Sequence, residues 1–363
     1  WVALGTLRVA AAVTLAPDGY HVQPGDNIQD ALQQAALNPT NKVVRVHAGE
    51  YRPNSKRQAL IWLNRKHEGI HLLAEGNVTL TAANPALSTA SEPGFPAVVN
   101  HVVYFGDGIS SNTWLKGFRI TGANGFVTKQ QTRQIEPDIT LGKNYFFFSD
   151  GGAIKIFGRS YPTLGNLEIV DNYSSPCGAG ISVQHEGFNQ WPVLIENCRL
   201  FRNRARATGS AIDLLAGSCA HIVNCLFVGN ASNLGEDPVA QQSGEPPFQN
   251  NGVITIFRNS RAIVKNCTFT SNRNGIDDLG GGSTYLNCIF ADNHLDTGLK
   301  GFPRFALGAV AGITVSGCLF NEPVQDPGHA ISATQNVLNA PPPRFDERYV
   351  PAAPEYRNAG YRP

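Results

Sequence analysis

Apolar and polar positions alternate along this chain over short stretches, and the stretches repeat. Asn197-Cys198-Arg199-Leu200-Phe201-Arg202-Asn203 is followed by Asn224-Cys225-Leu226-Phe227-Val228-Gly229-Asn230, by Asn266-Cys267-Thr268-Phe269-Thr270-Ser271-Asn272 and by Asn287-Cys288-Ile289-Phe290-Ala291-Asp292-Asn293. Gly317-Cys318-Leu319-Phe320-Asn321 closes the series. Asn166-Leu167-Glu168-Ile169-Val170-Asp171-Asn172 precedes it, and Gly117-Phe118-Arg119-Ile120 looks like a still earlier copy. Each copy sets two apolar residues two apart, facing one way on a strand. Each complete copy then places Asn three residues after the second of them. Copies begin at 166, 197, 224, 266, 287 and 317, so the spacing is 31, 27, 42, 21 and 30 residues. One short strand motif in each unit of roughly 20–40 residues predicts a solenoid.

A second column runs upstream of the first: Gly152-Ala153-Ile154-Lys155-Ile156, Gly180-Ile181-Ser182-Val183, Ser210-Ala211-Ile212-Asp213-Leu214 and Gly252-Val253-Ile254-Thr255-Ile256. Ile154 to Leu167, Ile212 to Cys225 and Ile254 to Cys267 are each 13 residues apart. Two strands at a fixed offset, repeated, describe coils stacked in parallel. Here the chain resembles the right-handed parallel β-helix, or pectin-lyase-like, superfamily over roughly residues 20–335. The resemblance implies an all-β solenoid with an N-terminal capping helix. It implies no single activity, because the fold hosts lyases, hydrolases, epimerases, esterases and inert scaffolds.

The best helix pattern is Asp26–Leu37: Asp26 is placed to N-cap with Gln29 reciprocating, Ile28, Leu32 and Ala35/Ala36 make one face, and Pro39 ends it. Covering the open end of a solenoid is the physical need such a helix meets. Residues 1–19 form an apolar arm, of which 1–16 read as a first strand, a packed arm or the remnant of an export signal. Residues 336–363, rich in Pro with Arg and Tyr interleaved, read as a tail packed along the solenoid or over its C-terminal end.

The chain has 363 residues, which a repeat array gathers into one domain. Its 29 basic and 28 acidic residues nearly cancel. That argues against the concentrated basic stripe of a nucleic-acid partner, and no segment reads as a transmembrane span. Five of seven cysteines (Cys198, Cys225, Cys267, Cys288, Cys318) share one repeat position. Side chains in one column point the same way, so these read as a ladder of buried thiols. No pattern suggests zinc, a phosphate loop or a nucleotide fingerprint. Three of four glycosylation sequons include ladder asparagines, which stacking explains better.

If Ile154, Ile181, Ile212 and Ile254 point inward, the next residues point outward. That column reads Lys155, Ser182, Asp213, Thr255, with Asp277 of Gly275-Ile276-Asp277-Asp278 as the next rung. Asp213 and Asp277 would lie two rungs, roughly 9.6 Å, apart at the backbone. Carboxyl groups ~6.5–9.5 Å apart suit an inverting glycosidase, with a water between them. Asp278 would orient that water or raise its neighbour's pKa by like charge. His185, Glu186 and Arg258 follow their strands at the rim, and Phe188 and Trp191 supply sugar-stacking faces. This loosely resembles pectin-degrading hydrolases, but Gly-His-Gly, Arg-Ile-Lys and Asn-Thr-Asp elements are missing, as are the pectate-lyase signatures.

Three readings stay open: a glycoside hydrolase using Asp213 and Asp277, a polysaccharide lyase, and a non-catalytic carbohydrate- or partner-binding solenoid. A lyase would use Lys155 or Arg258 with the acidic 231–250 loop, and Ca²⁺ is then the one cofactor implied. The expected ligand is a polysaccharide or oligosaccharide, and the expected location is secreted, periplasmic or cell surface. Loops 122–150, 184–192 and 294–307 are expected to wall the groove, and 231–250 is a fourth irregular loop.

Overall fold

The computed structural model describes residues 13–92, 94–106, 108–124, 151–174, 177–215, 217–232, 252–295, 304–310, 312–326 and 331–363. The chain is an all-β parallel β-helix. Each regular coil contributes one strand to each of three faces. Face 1 stacks nine strands in parallel: Arg57–Leu63, Val99–Phe105, Ile154–Phe157, Ile181–Gln184, Ile212–Leu214, Ile254–Ile256, Ile276–Asp278, Leu307–Ala309 and Val324–Gln325. Face 2 runs from Trp114–Lys116 through Val193–Glu196 and Cys219–Val223 to Thr314–Ser316. Face 3 runs from Arg119–Thr121 through Glu168–Val170 and Arg199–Phe201 to Leu319–Phe320. Faces 2 and 3 merge in the long strand His71–Thr81, which pairs with both.

The repeat asparagines make two separate ladders. The first residue of each motif turns the corner from face 2 to face 3: Asn166, Asn197, Asn224, Asn266 and Asn287 all hold φ between +52° and +55°. Asn tolerates this left-handed region better than other non-glycine residues; Gly117 and Gly317 take it at either end of the series. The last residue of each motif is buried after face 3. Its Nδ2 donates to the next coil's Oδ1, from Asn172 to Asn203, Asn203 to Asn230 and Asn230 to Asn272 at 3.0 Å each, and from Asn272 to Asn293 at 2.8 Å. Each Oδ1 also takes a backbone N–H from the preceding coil. Stacked amides thus satisfy the polar groups of a buried turn. Glu322 ends the ladder by accepting from Asn293.

Inside, one continuous core runs from Tyr20 to Phe320. Phe227, Phe269, Phe290 and Phe320 stack face to face, with centroids 4.5, 4.7 and 5.1 Å apart. None of the seven cysteines forms a disulfide and all are buried, with the five ladder thiols inside this core. Burial among apolar neighbours pushes the Cys198 and Cys267 thiols well above their ordinary value.

Helix Ile28–Leu37 lays Ile28, Ala31, Leu32 and Ala35 on the same core. Its N-cap falls one residue later than the pattern predicts. Asn27 accepts from the Gln29 N–H, while Asp26 closes the preceding turn by accepting from the Gln23 N–H. Gln29 instead reaches inward and exchanges two hydrogen bonds with the Trp62 backbone. Of the N-terminal arm, residues 1–12 lie outside the described residues; Thr14–Ala16 forms a hairpin with Gly19–Val22. The solenoid's last rung is Val337–Leu338, paired with Leu319–Phe320. The remaining tail folds back along face 3. No described helix is long and apolar enough to cross a membrane.

Candidate functional site

Face 1 holds the outward column in the register read from the sequence. Trp62, Tyr104, Lys155, Ser182, Asp213, Thr255, Asp277, Gly308 and Gln325 are successive partners. The column points away from the core but not into open solvent. Lys155, Ser182, Asp213 and Thr255 are 0% exposed, and Asp277 is 7% exposed. Part of the cover is the chain's own lead-in to each face-1 strand. Gly178 and Gly209, both at φ +62°, lie directly against Asp213. A Cβ on Gly178 would sit 2.9 Å from Asp213 Cγ, and one on Gly209 would sit 2.6 Å from Asp213 Cβ. Thr208 hydrogen-bonds the Thr255 hydroxyl from the same lead-in. A strand-face pattern signals direction, not what lies over it, so this cover was not legible in the alternation.

The column is polar and mixed in charge. Lys155 Nζ donates to Ser182 Oγ at 3.1 Å. Its charge adds to burial in pushing the His101 imidazole down to about 3, so His101 is neutral, with Nδ1 2.7 Å from the Gly151 carbonyl. Lys155 and Asp213 both have interaction partners. Asp277 Oδ2 is buried and has no hydrogen-bond partner among the described residues. Burial first, and the charge of Asp278 second, push the Asp277 carboxyl up to about 7.

Asp278 itself stands at the inward position of the strand, in register with Ile256. It is fully buried and accepts from Tyr285 Oη at 2.7 Å and from the Gly280 and Gly281 N–H groups at 2.9 and 3.1 Å. Asp278 is therefore committed to the turn below the column, and it acts on Asp277 through its charge. Two arginines that the sequence reading passed over, Arg206 and Arg273, are buried between the asparagine ladder and face 1. Their signal is position: they follow Asn203 by three residues and Asn272 by one.

The remaining candidate residues form a second group, at the corner where face 1 turns into face 2. His185 is buried, with Nε2 2.8 Å from the Ser160 carbonyl, and burial lowers it to about 4. It sits within a column of corner serines: the His185 N–H donates to Ser218 Oγ, and the Ser218 N–H to Ser260 Oγ. Phe188 and Trp191 gather around Tyr161, with centroids 6.2 and 6.1 Å from it. Trp191 is 54% exposed, the aromatic side chain of this cluster most open to solvent. Tyr161 was missed, although the register Phe157–Gln184, carried four residues on, sets it opposite Phe188. Glu186, at φ +54°, accepts from Gln184, and Arg258 is exposed two rungs beyond His185.

The structure therefore gathers Lys155, Asp213, Thr255 and Asp277 in one place and His185, Glu186, Phe188, Trp191 and Arg258 in another. Of the expected groove walls, residues 125–150 and 296–303 lie outside the described residues, as does most of the fourth irregular loop, 233–251. With them go Lys129, Arg133, Glu136, Asp138, the Tyr145–Phe148 run, Glu236, Asp237, Glu245, Asp296 and Lys300. Among the described residues no group of three or more His, Cys, Asp or Glu side chains is placed to hold a metal ion; the acidic 231–250 loop named for Ca²⁺ lies almost wholly outside the described residues.

No protein-family model matches the chain, and no curated protein matches it. Among solved structures it is similar to PfbA, a surface adhesin of Streptococcus pneumoniae, at 14% identity, covering 83% of this chain and 76% of that one with a TM-score of 0.34. It is also similar to a pectin methylesterase crystallised with a hexasaccharide, at 11% identity, covering 84% of this chain and 86% of that one with a TM-score of 0.24. Likeness this loose carries nothing about activity.

Proposed function

We propose that this chain is a polysaccharide-active β-helix, secreted or held at a cell surface, and that it hydrolyses a glycan at the face-1 column. The observation that carries this reading is Asp277: a carboxyl in the column, raised to about 7 beside an ionisable partner two rungs away. A carboxyl protonated near neutral pH is suited to donate a proton to a leaving glycosidic oxygen. Asp213 would take the proton of the attacking water; both it and Thr255 are 0% exposed, so a glycan reaches them only when the lead-in over the column moves aside. Elimination with Lys155 as base has weaker support, because that amine is bonded to Ser182.

A second reading has its own observation. Trp191, open to solvent on Tyr161 and beside Phe188, is a face on which a sugar ring could stack without any chemistry following. A panel of uronic-acid and neutral glycans separates the two. Reducing ends report hydrolysis, ultraviolet absorbance of an unsaturated product reports elimination, and a titration on immobilised glycan reports binding alone. Under the hydrolase reading Asp213→Asn and Asp277→Asn, made separately, each lose at least about a hundredfold in rate. Full activity in both variants sinks the column. Binding without turnover, abolished by Trp191→Ala, gives the second reading first place.

A further inference from the structure

At the corner between faces 2 and 3 the chain's own tail lies across the coils from Asn287 to Asn224. Gly360 N–H donates to the Asn287 carbonyl at 2.8 Å, Tyr361 N–H to Thr268 Oγ1 at 2.9 Å, and Arg362 N–H to Asn224 Oδ1 at 2.7 Å. Asn224 Nδ2 returns a bond to the Arg362 carbonyl at 2.8 Å. This two-way amide pairing reads main chain and no side chain. Tyr356, Ala359 and Ala340 meanwhile cover Ile289, Ala291 and Leu319 on the outside of face 3.

Beyond Arg362 the corner continues, and its chemistry changes at that rung. The outward column of face 3 reads Thr79, Arg119, Glu168, Arg199, then Leu226, Thr268, Ile289, Leu319. The last four are buried beneath or beside the tail, whereas Arg199 is exposed and Thr79, Arg119 and Glu168 are half-buried. Corner asparagines follow the same division: Asn224, Asn266 and Asn287 are half-buried, Asn166 and Asn197 exposed. The open half is a cavity of about 350 Å³ lined by Asn166, Asn197, Arg119, Glu168, Arg199 and Thr79, among others. Glu168 pairs with both Arg119 and Arg199, so one positive charge is in excess.

We propose that this open half binds an extended acidic peptide, laid end to end with the Gly360–Arg362 segment. Asn197 and Asn166 sit one and two rungs past Asn224 in the same left-handed corner conformation, and they offer the main chain the pairing that Asn224 gives Arg362. Asn224 already donates to Asn197 Oδ1 at 2.8 Å, which holds the second amide in the line of the first. Carboxylate side chains of the peptide take up Arg119 and Arg199 in competition with Glu168. Main-chain bonds supply affinity and the arginines supply preference, as in other extended-peptide sites. A peptide is favoured over a sugar because the occupant already present at this corner is a peptide. The site is separate from face 1 and does not rest on the glycan reading.

The test is fluorescence anisotropy of the full chain with a labelled synthetic peptide alternating Asp and Thr, beside one alternating Lys and Thr and a labelled oligogalacturonate. The acidic peptide should bind saturably and more weakly as salt rises. Arg199→Ala, at an exposed position, should weaken it about tenfold. Asn197→Gly should do so about as much, since glycine keeps the corner's φ of +55° and removes only the amide. Glu168→Gln should tighten it, and Asp277→Asn should leave it unchanged. No saturable binding, equal binding of the basic peptide, indifference to Arg199 and Asn197, or tighter binding of the oligogalacturonate at the same residues would each overturn the proposal.

Discussion

The ladder after face 3 and the column outside face 1 are built on the same stacking geometry, and they use it in opposite ways. Along the ladder one residue type recurs: Asn172, Asn203, Asn230, Asn272 and Asn293, each bonded to the next. Along the column each rung is different: Lys155, Ser182, Asp213, Thr255, Asp277. Repetition satisfies every amide with its neighbour, so the ladder stabilises the coil and leaves no group over for chemistry. Heterogeneity leaves Asp277 buried and raised to about 7 beside a charge it cannot escape, which costs stability. A parallel stack in which the residue changes at every rung is where function is to be sought.

The largest expected effect comes from breaking the ladder in its middle. Asn230→Ala removes the acceptor of two Asn203 N–H bonds and the donor to Leu200 O and Asn272 Oδ1, all buried. Denaturant unfolding should show a loss of ~3–5 kcal/mol. A loss below ~1 kcal/mol would mean that the amides do not act as a stack.

The column should respond in the other direction. A carboxyl whose pKa is raised in the fold contributes stability below its unfolded value, and this is lost as pH rises through the folded value. Asp277→Asn should therefore match wild type near pH 4 and exceed it by ~2–4 kcal/mol at pH 8, the gap opening up to about pH 7. A gap that is constant with pH would show that Asp277 is an ordinary carboxylate.

Smaller effects sharpen the contrast. Phe269→Leu, in the middle of the phenyl stack, should cost ~1–2 kcal/mol, because the replacement keeps most of the volume and loses the two ring contacts. Arg202→Ala, which breaks an exposed ion pair to Asp171 between neighbouring coils, should cost less than ~1 kcal/mol by the same assay.

Most of the fold was legible because stacking forces identical environments onto residues at a fixed offset. The sequence therefore displays the Asn and Cys ladders directly, and the Ile154, Ile181, Ile212, Ile254 register follows from them. The column's membership was legible for the same reason. Its burial was not, since that depends on Gly178 and Gly209 folding back over Asp213, and backbone path leaves no period in the sequence. Asp278 was read as a partner in the groove because the alternation was not carried one residue further; period two puts it inward, against Tyr285. Tyr161 escaped notice because the corner loops vary in length and hide the register that pairs it with Phe188.

The most direct measurement is the titration of the Asp277 carboxyl, followed by carbon NMR in selectively labelled protein with Asp277→Asn to assign the signal. A midpoint near 7, falling when Asp278→Asn removes the neighbouring charge, is expected of a buried proton donor in the column. A midpoint near the ordinary ~4 of an aspartate, unmoved by Asp278→Asn, would contradict that role and return the column to the status of a polar surface that happens to be covered.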